Sequence, residues 1–485
     1  MNDAPLVEEL GSAPEPVEAC ARFDGLPYLL FLDSAAEHAQ WGRYSFLSAD
    51  PAVLIRGQGA LTQQLTASDG AWVRVPGDPL RAAEHLLSRF AAAPVAGLPP
   101  FQGGAAGYLT YDWGAALERI PHTRFADCPI PDVMLGIYDW VIAWDNLERR
   151  AWIISTGLPA AGGLRQRRAE ERLGWVEARL AGRSTAPTRR ATRSAGQFAA
   201  PSYAFAGPPE TRALGLRSNF SPDGYRAAVA RVIEYIHAGD VFQANLAQRF
   251  QAPLAGTPFE LYRRLRRRNP APFSAYIDFD GVAVASSSPE RFLRVDGGRV
   301  EARPIKGTRP RGADPDADAA FAVALAESAK DRAENVMIVD VLRNDLSRVC
   351  EPGTVSAPDL FAVERYATVQ HLVSTVVGQL APGRGTGDLL RAAFPSGSVT
   401  GAPKVRAMQI IAELEPTPRR VYCGAIGYWS VTGAVDTSVA IRTALAIGDE
   451  VCFQAGGGIV ADSRPDDEYD ETIDKARGMM AGLAP

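Results

Sequence analysis

Lysine is almost missing from this chain of 485 residues. Of its 51 basic residues only Lys306, Lys330, Lys404 and Lys475 are lysine, which leaves 47 arginines. Positive charge is written as Arg nearly everywhere, and an ammonium is kept at four places. The difference is chemical: a desolvated lysine can lose its proton and act as an amine nucleophile or base, whereas a guanidinium stays charged. Cysteine is scarce as well. Cys20, Cys128, Cys350, Cys423 and Cys452 form no Cys-x-x-Cys pair, which argues against a disulfide framework and a cysteine-type zinc site and fits a reducing cytoplasm. No apolar run approaches the length that spans a bilayer, and the acidic start, Met1 to Glu9, lacks the basic and apolar regions of a secretory signal. Excess charge is lacking too. A net charge of −5, with 22% charged and 46% hydrophobic residues, describes a soluble globular chain and gives no reason to expect nucleic acid or a membrane.

What is present begins with strands. Tyr28–Leu32, Gly42–Leu47, Ala52–Ile55, Ala71–Val75 and Trp140–Trp144 read as short strands between turns. The Gly-dense run Gly103–Tyr108 suits either a close approach to a ligand or a tightly packed sheet crossing. From about 157 to 217 the composition shifts to Ala, Gly, Arg, Pro and Ser, with one helical piece near Arg165–Leu180, which reads as a connector. The expected division is therefore an N-terminal strand-rich lobe (1–157), a connector (158–217) and a C-terminal catalytic part (218–485). In that last part Ser221-Pro222 caps a helix, Asp240–Phe250, Val282–Ser288 and Arg291–Val295 alternate like strands, and Asp314–Leu346 is helical. Ala333, Met337 and Val341, with Ile338 and Leu342, form its apolar stripe. The arginine run 263–268 reads as a solvated helix face, and a final helix runs from about Pro465 to Leu483.

Carboxylates at helical spacing are the first chemical signal. Asp331 and Glu334 leave one face of their helix, as do Glu468, Glu471 and Lys475 on the last. Two such faces could close on a hard divalent cation, since Mg²⁺ takes one or two carboxylates plus water and an anionic ligand; exposed acidic faces with a Glu471–Lys475 contact are the plainer alternative. Gly456-Gly457-Gly458 could be an anion-binding nest or a hairpin turn. His371 lies among apolar neighbours, as core histidines do. Pro395 to Lys404 lacks the Gly-Lys-Ser/Thr ending of a phosphate loop.

In order along the chain stand Phe242-Gln-Ala-Asn-Leu, Ser288-Pro-Glu, Arg303-Pro-Ile-Lys-Gly-Thr-Arg-Pro-Arg311, Lys330-Asp-x-x-Glu-Asn-x-Met-Ile-Val-Asp340, Val369-Gln-His-Leu, Gly401-Ala-Pro-Lys404, Ala455-Gly-Gly-Gly-Ile459 and Glu468-x-x-Glu-Thr-x-x-Lys475. Together they resemble the chorismate-utilising enzymes, a family that includes the large subunits of anthranilate and aminodeoxychorismate synthases and the isochorismate and salicylate synthases. The resemblance covers about 219–482 and, more loosely, the N-terminal lobe. It implies an α+β fold, a large, mostly antiparallel β-sandwich flanked by helices. It also implies Mg²⁺ held by Glu334 and Glu471, with Asp331 and Glu468 acting through water. Thr308, Thr400, Tyr428, Arg442, the Gly456, Gly457 and Gly458 backbone and Lys475 resemble binders of the substrate and its carboxylates. Glu290 resembles the general acid, Lys306 the nucleophile, and His371 a ring-facing catalytic histidine.

Two positions discriminate within the family. Relatives that add water at C2 of chorismate carry a lysine where Gln243 stands here, and Lys306 is typical of the branch that places nitrogen at C4. The resemblance therefore implies conversion of chorismate and ammonia to 4-amino-4-deoxychorismate, the precursor of 4-aminobenzoate and folate, with Arg303 and Arg309 driving Lys306 toward the neutral amine. Anthranilate formation is the alternative. No cysteine sits in a Gly-x-Cys-x-Gly glutaminase turn, so ammonia has to come from solution or from a separate glutamine amidotransferase subunit. Phe31-Leu-Asp-Ser34 and Pro131-Asp-Val-Met134 resemble a tryptophan pocket of relatives. They make tryptophan a candidate ligand of the N-terminal lobe and leave a non-catalytic tryptophan-sensing subunit as the reading of another class.

Overall fold

The alternating runs become strands, and most of them join two large antiparallel sheets. The computed structural model describes residues 4–36, 41–66, 70–183, 198–205, 207, 209–365 and 369–484. In the first sheet Leu29–Asp33 pairs with Phe273–Phe279, and the order continues through Val282–Ser288, Thr443–Ile447 and Glu450–Ile459 to Gln243–Pro253. In the second, Arg291–Asp296 is followed by Val435–Val439, Ala425–Ser430, Gly104–Leu109 and Val133–Tyr138. Leu30, Phe46, Tyr108, Val284 and Ile426 fill the space between the sheets. Helices Pro16–Phe23, Gly162–Leu180, Pro258–Arg268 and Pro465–Leu483 cover the outer face of the first. Pro79–Arg89, Ala329–Ser347, Thr386–Ala393 and Lys404–Leu414 cover the second. This is the expected α+β sandwich flanked by helices.

The expected lobes do not own separate sheets. Residues 1–157 place strands in the middle of both, against strands from the C-terminal half, because neither half alone can pair its inner edges. The connector holds a longer helix than expected, Gly162–Leu180, which buries Val176 and Leu180; its residues 184–197 lie outside the described ones.

Local chemistry explains other departures. The helical region 314–346 is two helices, Pro315–Glu327 and Ala329–Ser347, divided at Ser328, whose hydroxyl accepts from the Asp331 N–H and caps the second. In that helix Ile338 and Leu342 are buried, while Ala333, Met337 and Val341 line an open groove. Gly103–Tyr108 is a packed sheet crossing: a Cβ on Gly107 would lie 2.1 Å from the Met134 carbonyl oxygen. The arginine run is only partly solvated, since Arg263 pairs with Glu18, Arg266 pairs with Asp33, and Arg264 donates to the Gly482 carbonyl.

No helix among the described residues is long and apolar enough to cross a membrane.

Candidate active site

Lys306 stands on a bulge. The strand Ile305–Pro310 pairs with Val369–Gln379, and its register shifts between Ile305 and Thr308, the irregularity by which a sheet re-aims a side chain. Gly307 takes the left-handed conformation there at φ +80°, and a Cβ on it would lie 2.9 Å from Asp331 Cγ. The strand thus rests on the helix that carries Asp331 and Glu334.

Burial pulls the Lys306 ammonium below its usual pKa. Glu334 opposes this, Lys475 adds to it, and Glu290 and Glu471 oppose it. Arg303 and Arg309, expected to act by repulsion, are each neutralised instead. Arg303 is ion-paired with Glu364 and lies over the Trp41 ring, and Arg309 binds Asp331 at 2.9 Å. Desolvation, not neighbouring arginine, favours the amine.

Glu290 occupies the point where the chain crosses from Val282–Ser288 in one sheet to Arg291–Asp296 in the other. Burial pushes its carboxyl up to about 7, against hydrogen bonds from Ser398 and the Ile305 N–H and the charge of Lys306. Its proton is therefore available near neutrality. His371 faces Thr308 across the ladder, with Nδ1 2.8 Å from the Thr308 hydroxyl. Burial first, and then Arg442, lower its pKa to about 4, so its ring is neutral above that pH.

Two acids of the last helix, Glu468 and Glu471, face a glycine strand, and Glu334 stands on the other helix. Glu471 pairs with Lys475 at 2.5 Å, Glu468 accepts from the Ser463 hydroxyl at 2.6 Å, and Glu334 stands 4.0 Å from Lys330. Burial raises Glu468, helped by the charge of Glu471; at Glu471 burial is outweighed by Lys475, Lys330 and Lys306. Gly456–Gly458 is no turn. All three glycines lie inside strand Glu450–Ile459, paired with Asn245, Leu246 and Ala247. A Cβ on Gly457 would come within 3.1 Å of Glu468 Oε2 and 3.2 Å of Glu471 Oε1, and one on Gly458 within 2.1 Å of Gln243 Nε2. Glycine keeps the space above the carboxylates open. Among the described residues no three His, Cys, Asp or Glu side chains are grouped closely enough to hold a metal by themselves. Glu471 and Glu468, facing the cleared strand, are carboxylate donors of the kind Mg²⁺ takes, with its other ligands coming from water and substrate oxygens.

Arg442 is half-buried, with its pKa lowered by burial, and no described carboxylate forms an ion pair with it. Such a fork suits an incoming carboxylate. Thr400 is fully buried, and its hydroxyl proton is spent on Ser396 and Gly397 carbonyls, so it has only acceptor capacity to offer.

Tyr428 does not join this group. Its ring stacks on Phe101 at 4.8 Å and meets Phe46 edge-on at 5.3 Å, at the wall of a separate cavity of about 300 Å³ also lined by Leu32, Asp33 and Ser34. Strand alternation turns it, with Ile426, into the space between the sheets. Arg419, whose guanidinium donates to the Val399 carbonyl beside Thr400, lies over the rings of Tyr111 at 4.6 Å and Tyr422 at 5.8 Å. Tyr422 and Tyr428 lie in one heptapeptide, and only the strand start at Ala425 separates their surroundings. Of the two segments expected at a tryptophan pocket, Leu32, Asp33 and Ser34 of the first border the cavity, Phe31 packs into the core on the sheet's other side, and 131–134 is not part of the lining. Ser398 carried no signal of its own, because its contacts with Lys306 and Asn245 join residues far apart in sequence.

Residues 37–481 match the chorismate binding enzyme family, and the chain belongs to that family. It is 43% identical over 460 residues to aminodeoxychorismate synthase component 1 of Klebsiella aerogenes, with 94% of each chain covered. It is 37% identical to anthranilate synthase component 1 of Pseudomonas aeruginosa, covering 100% of this chain and 96% of that one. Among solved structures it resembles anthranilate synthase component I of Streptococcus pneumoniae, with a TM-score of 0.76 at 32% identity, covering 92% and 93% of the two chains.

Proposed function

We propose that this chain aminates chorismate at C4, giving 4-amino-4-deoxychorismate and water from chorismate and ammonia. One observation carries the reading: a half-buried lysine displaced toward its neutral form lies within electrostatic reach of a buried glutamic acid of pKa about 7. The Glu290 carboxyl gives its proton to the departing C4 hydroxyl, which leaves as water. The neutral Lys306 amine forms a bond at C2 as the ring double bonds shift. Ammonia then bonds at C4, the double bonds return, and the C2–N bond to Lys306 breaks. The proton shed by the new C4 ammonium returns to the Glu290 carboxylate.

Arg442 and Lys475 bind substrate carboxylate, and neutral His371, held by Thr308, faces the ring. Glu334 and Glu471 would hold Mg²⁺, with Asp331 and Glu468 behind them through water; the ion supplies positive charge for a substrate carboxylate. A separate glutamine amidotransferase subunit delivers the ammonia in the cytoplasm, and the product leads to 4-aminobenzoate and folate. The cavity beside Tyr428 is the place for tryptophan. The complete set of acids around Lys306 speaks against a purely sensing subunit. Anthranilate formation is the second reading, favoured by the 37% identity to such a component.

The test is purified protein with chorismate, Mg²⁺ and ammonium, the amine position of the product read by NMR and anthranilate by fluorescence. C4 amine without anthranilate is expected, and loss of a covalent nucleophile in Lys306→Ala should lower its rate by about a thousandfold. Lys306→Arg should be equally inactive, since guanidinium keeps its proton. Anthranilate as the wild-type product, or near-normal C4 amination by Lys306→Ala, would overturn the reading.

A further inference from the structure

One residue touches both reacting groups. The Ser398 carbonyl oxygen accepts from Lys306 Nζ at 3.4 Å and from Asn245 Nδ2 at 2.9 Å. Its hydroxyl lies 2.9 Å from the Ser396 hydroxyl and close enough to the Glu290 carboxyl to hold its pKa down. The side chain is almost wholly enclosed, so these contacts are made without competing bulk water.

The turn that presents Ser398 is held on every side. It is a single 3-10 turn, Gly397–Val399, entered from Ser396, whose hydroxyl accepts from the Ser398 N–H. Thr400 donates its hydroxyl back to the Ser396 carbonyl at 3.0 Å. Arg419, locked to Glu415 in a buried pair, donates to the Val399 carbonyl at 2.8 Å. A Cβ on Gly397 would lie 2.8 Å from Val341 Cγ1, so the turn sits directly on the helix that bears Glu334. A turn so constrained transmits position.

We infer that Ser398 is a positioning residue that sets Lys306 and Glu290 in register, its carbonyl aiming the amine and its hydroxyl orienting the carboxyl. The inference rests on the roles proposed above for those two groups. A hydroxyl can accept from the protonated acid and donate to the carboxylate. It therefore follows Glu290 through a proton transfer without moving, and donation to the charged form offsets part of the burial that raises this acid. The other charged or titratable groups facing Glu290 are Lys306 from the neighbouring strand and the Cys423 thiol. Arg291, next in sequence, is turned away into Asp436 and Glu301. Ser398 is thus the neutral group that trims the acid toward working pH, where general acid catalysis is most efficient.

The experiment compares wild type, Ser398→Ala, Ser398→Cys and Ser398→Thr across pH at constant free ammonia, reading kcat and KM for chorismate, with folding checked by circular dichroism. Ser398→Ala should move the alkaline limb assigned to Glu290 up by about one pH unit and lower kcat by about tenfold or more, with KM nearly unchanged. Ser398→Thr, which keeps the hydroxyl, should restore the wild-type limb. If Ser398→Ala does not fold, Ser398→Cys carries the test, because a thiol is a weak donor and should give a smaller shift in the same direction. A folded Ala or Cys variant with the wild-type limb and kcat overturns the inference. A wild-type limb that persists in Glu290→Gln refutes the acid assignment instead, so the two failures are told apart.

Discussion

Burial sets the chemistry of Glu290, Lys306 and His371 more than any charged neighbour does, for it is the first cause of all three shifts. It has a thermodynamic consequence at Glu290. Its folded pKa of about 7 lies above the ordinary 4.5, so between those values the folded state binds more protons than the unfolded one. Stability therefore falls as pH rises from 4.5 to 7 and stays low above it. Glu290→Gln removes this penalty. The variant should be more stable than wild type at pH 8 by up to about 3 kcal/mol, with the gap closing toward pH 4.5, while C4 amination is lost. Urea unfolding at the two pH values measures it, and a variant less stable than wild type at pH 8 would contradict the account. The chain maintains an acid that destabilises its own fold.

The elements that carry the site were legible to different degrees. The helical state of the segments bearing Asp331, Glu334, Glu468 and Glu471 follows from their spacing, whereas the break at Ser328 did not. Which stripe of Ala329–Ser347 is core did not follow, because two overlapping stripes share the helix and only packing buries Ile338 and Leu342. The glycine triplet was open to misreading for another reason. Its glycines are required by what lies across the strand and not by a turn. Gly457→Ala tests this, since its Cβ would press on the ends of two flexible side chains, Glu468 and Glu471. The fold should survive, and Mg²⁺ binding, measured by calorimetry, should weaken by about tenfold, as for other changes that displace metal ligands. Unaltered Mg²⁺ affinity would place the ion elsewhere. Gly456→Ala is a harsher change, for its Cβ would lie 2.2 Å from the Leu246 carbonyl oxygen of the paired strand.

At the scale of the whole molecule the sheets bind the two halves into one folding unit. Phe273–Phe279 needs Leu29–Asp33, and Ala425–Ser430 needs Gly104–Leu109. A fragment of residues 218–485 would expose both inner edges and one side of the shared core. It should show no cooperative thermal transition by circular dichroism when made alone, and should recover one when made together with residues 1–217. A cooperative transition in the isolated fragment would show that the C-terminal half closes its own sheets.

By itself the sequence determined the strands and helices whose periodicity and caps are local, the scarcity that singled out Lys306, and the acids at helical spacing. Local sequence suffices there because a strand's alternation and a helix face are set by neighbours two to four residues away. Tertiary structure decided the rest. It sent Tyr428 into the inter-sheet cavity, bound Arg303 to Glu364 and Arg309 to Asp331, and placed Ser398 between Glu290 and Lys306. Those outcomes join residues tens to hundreds of positions apart, and it is the pairing of distant strands, with the desolvation it imposes, that fixes both the neighbours and the protonation of the groups enclosed.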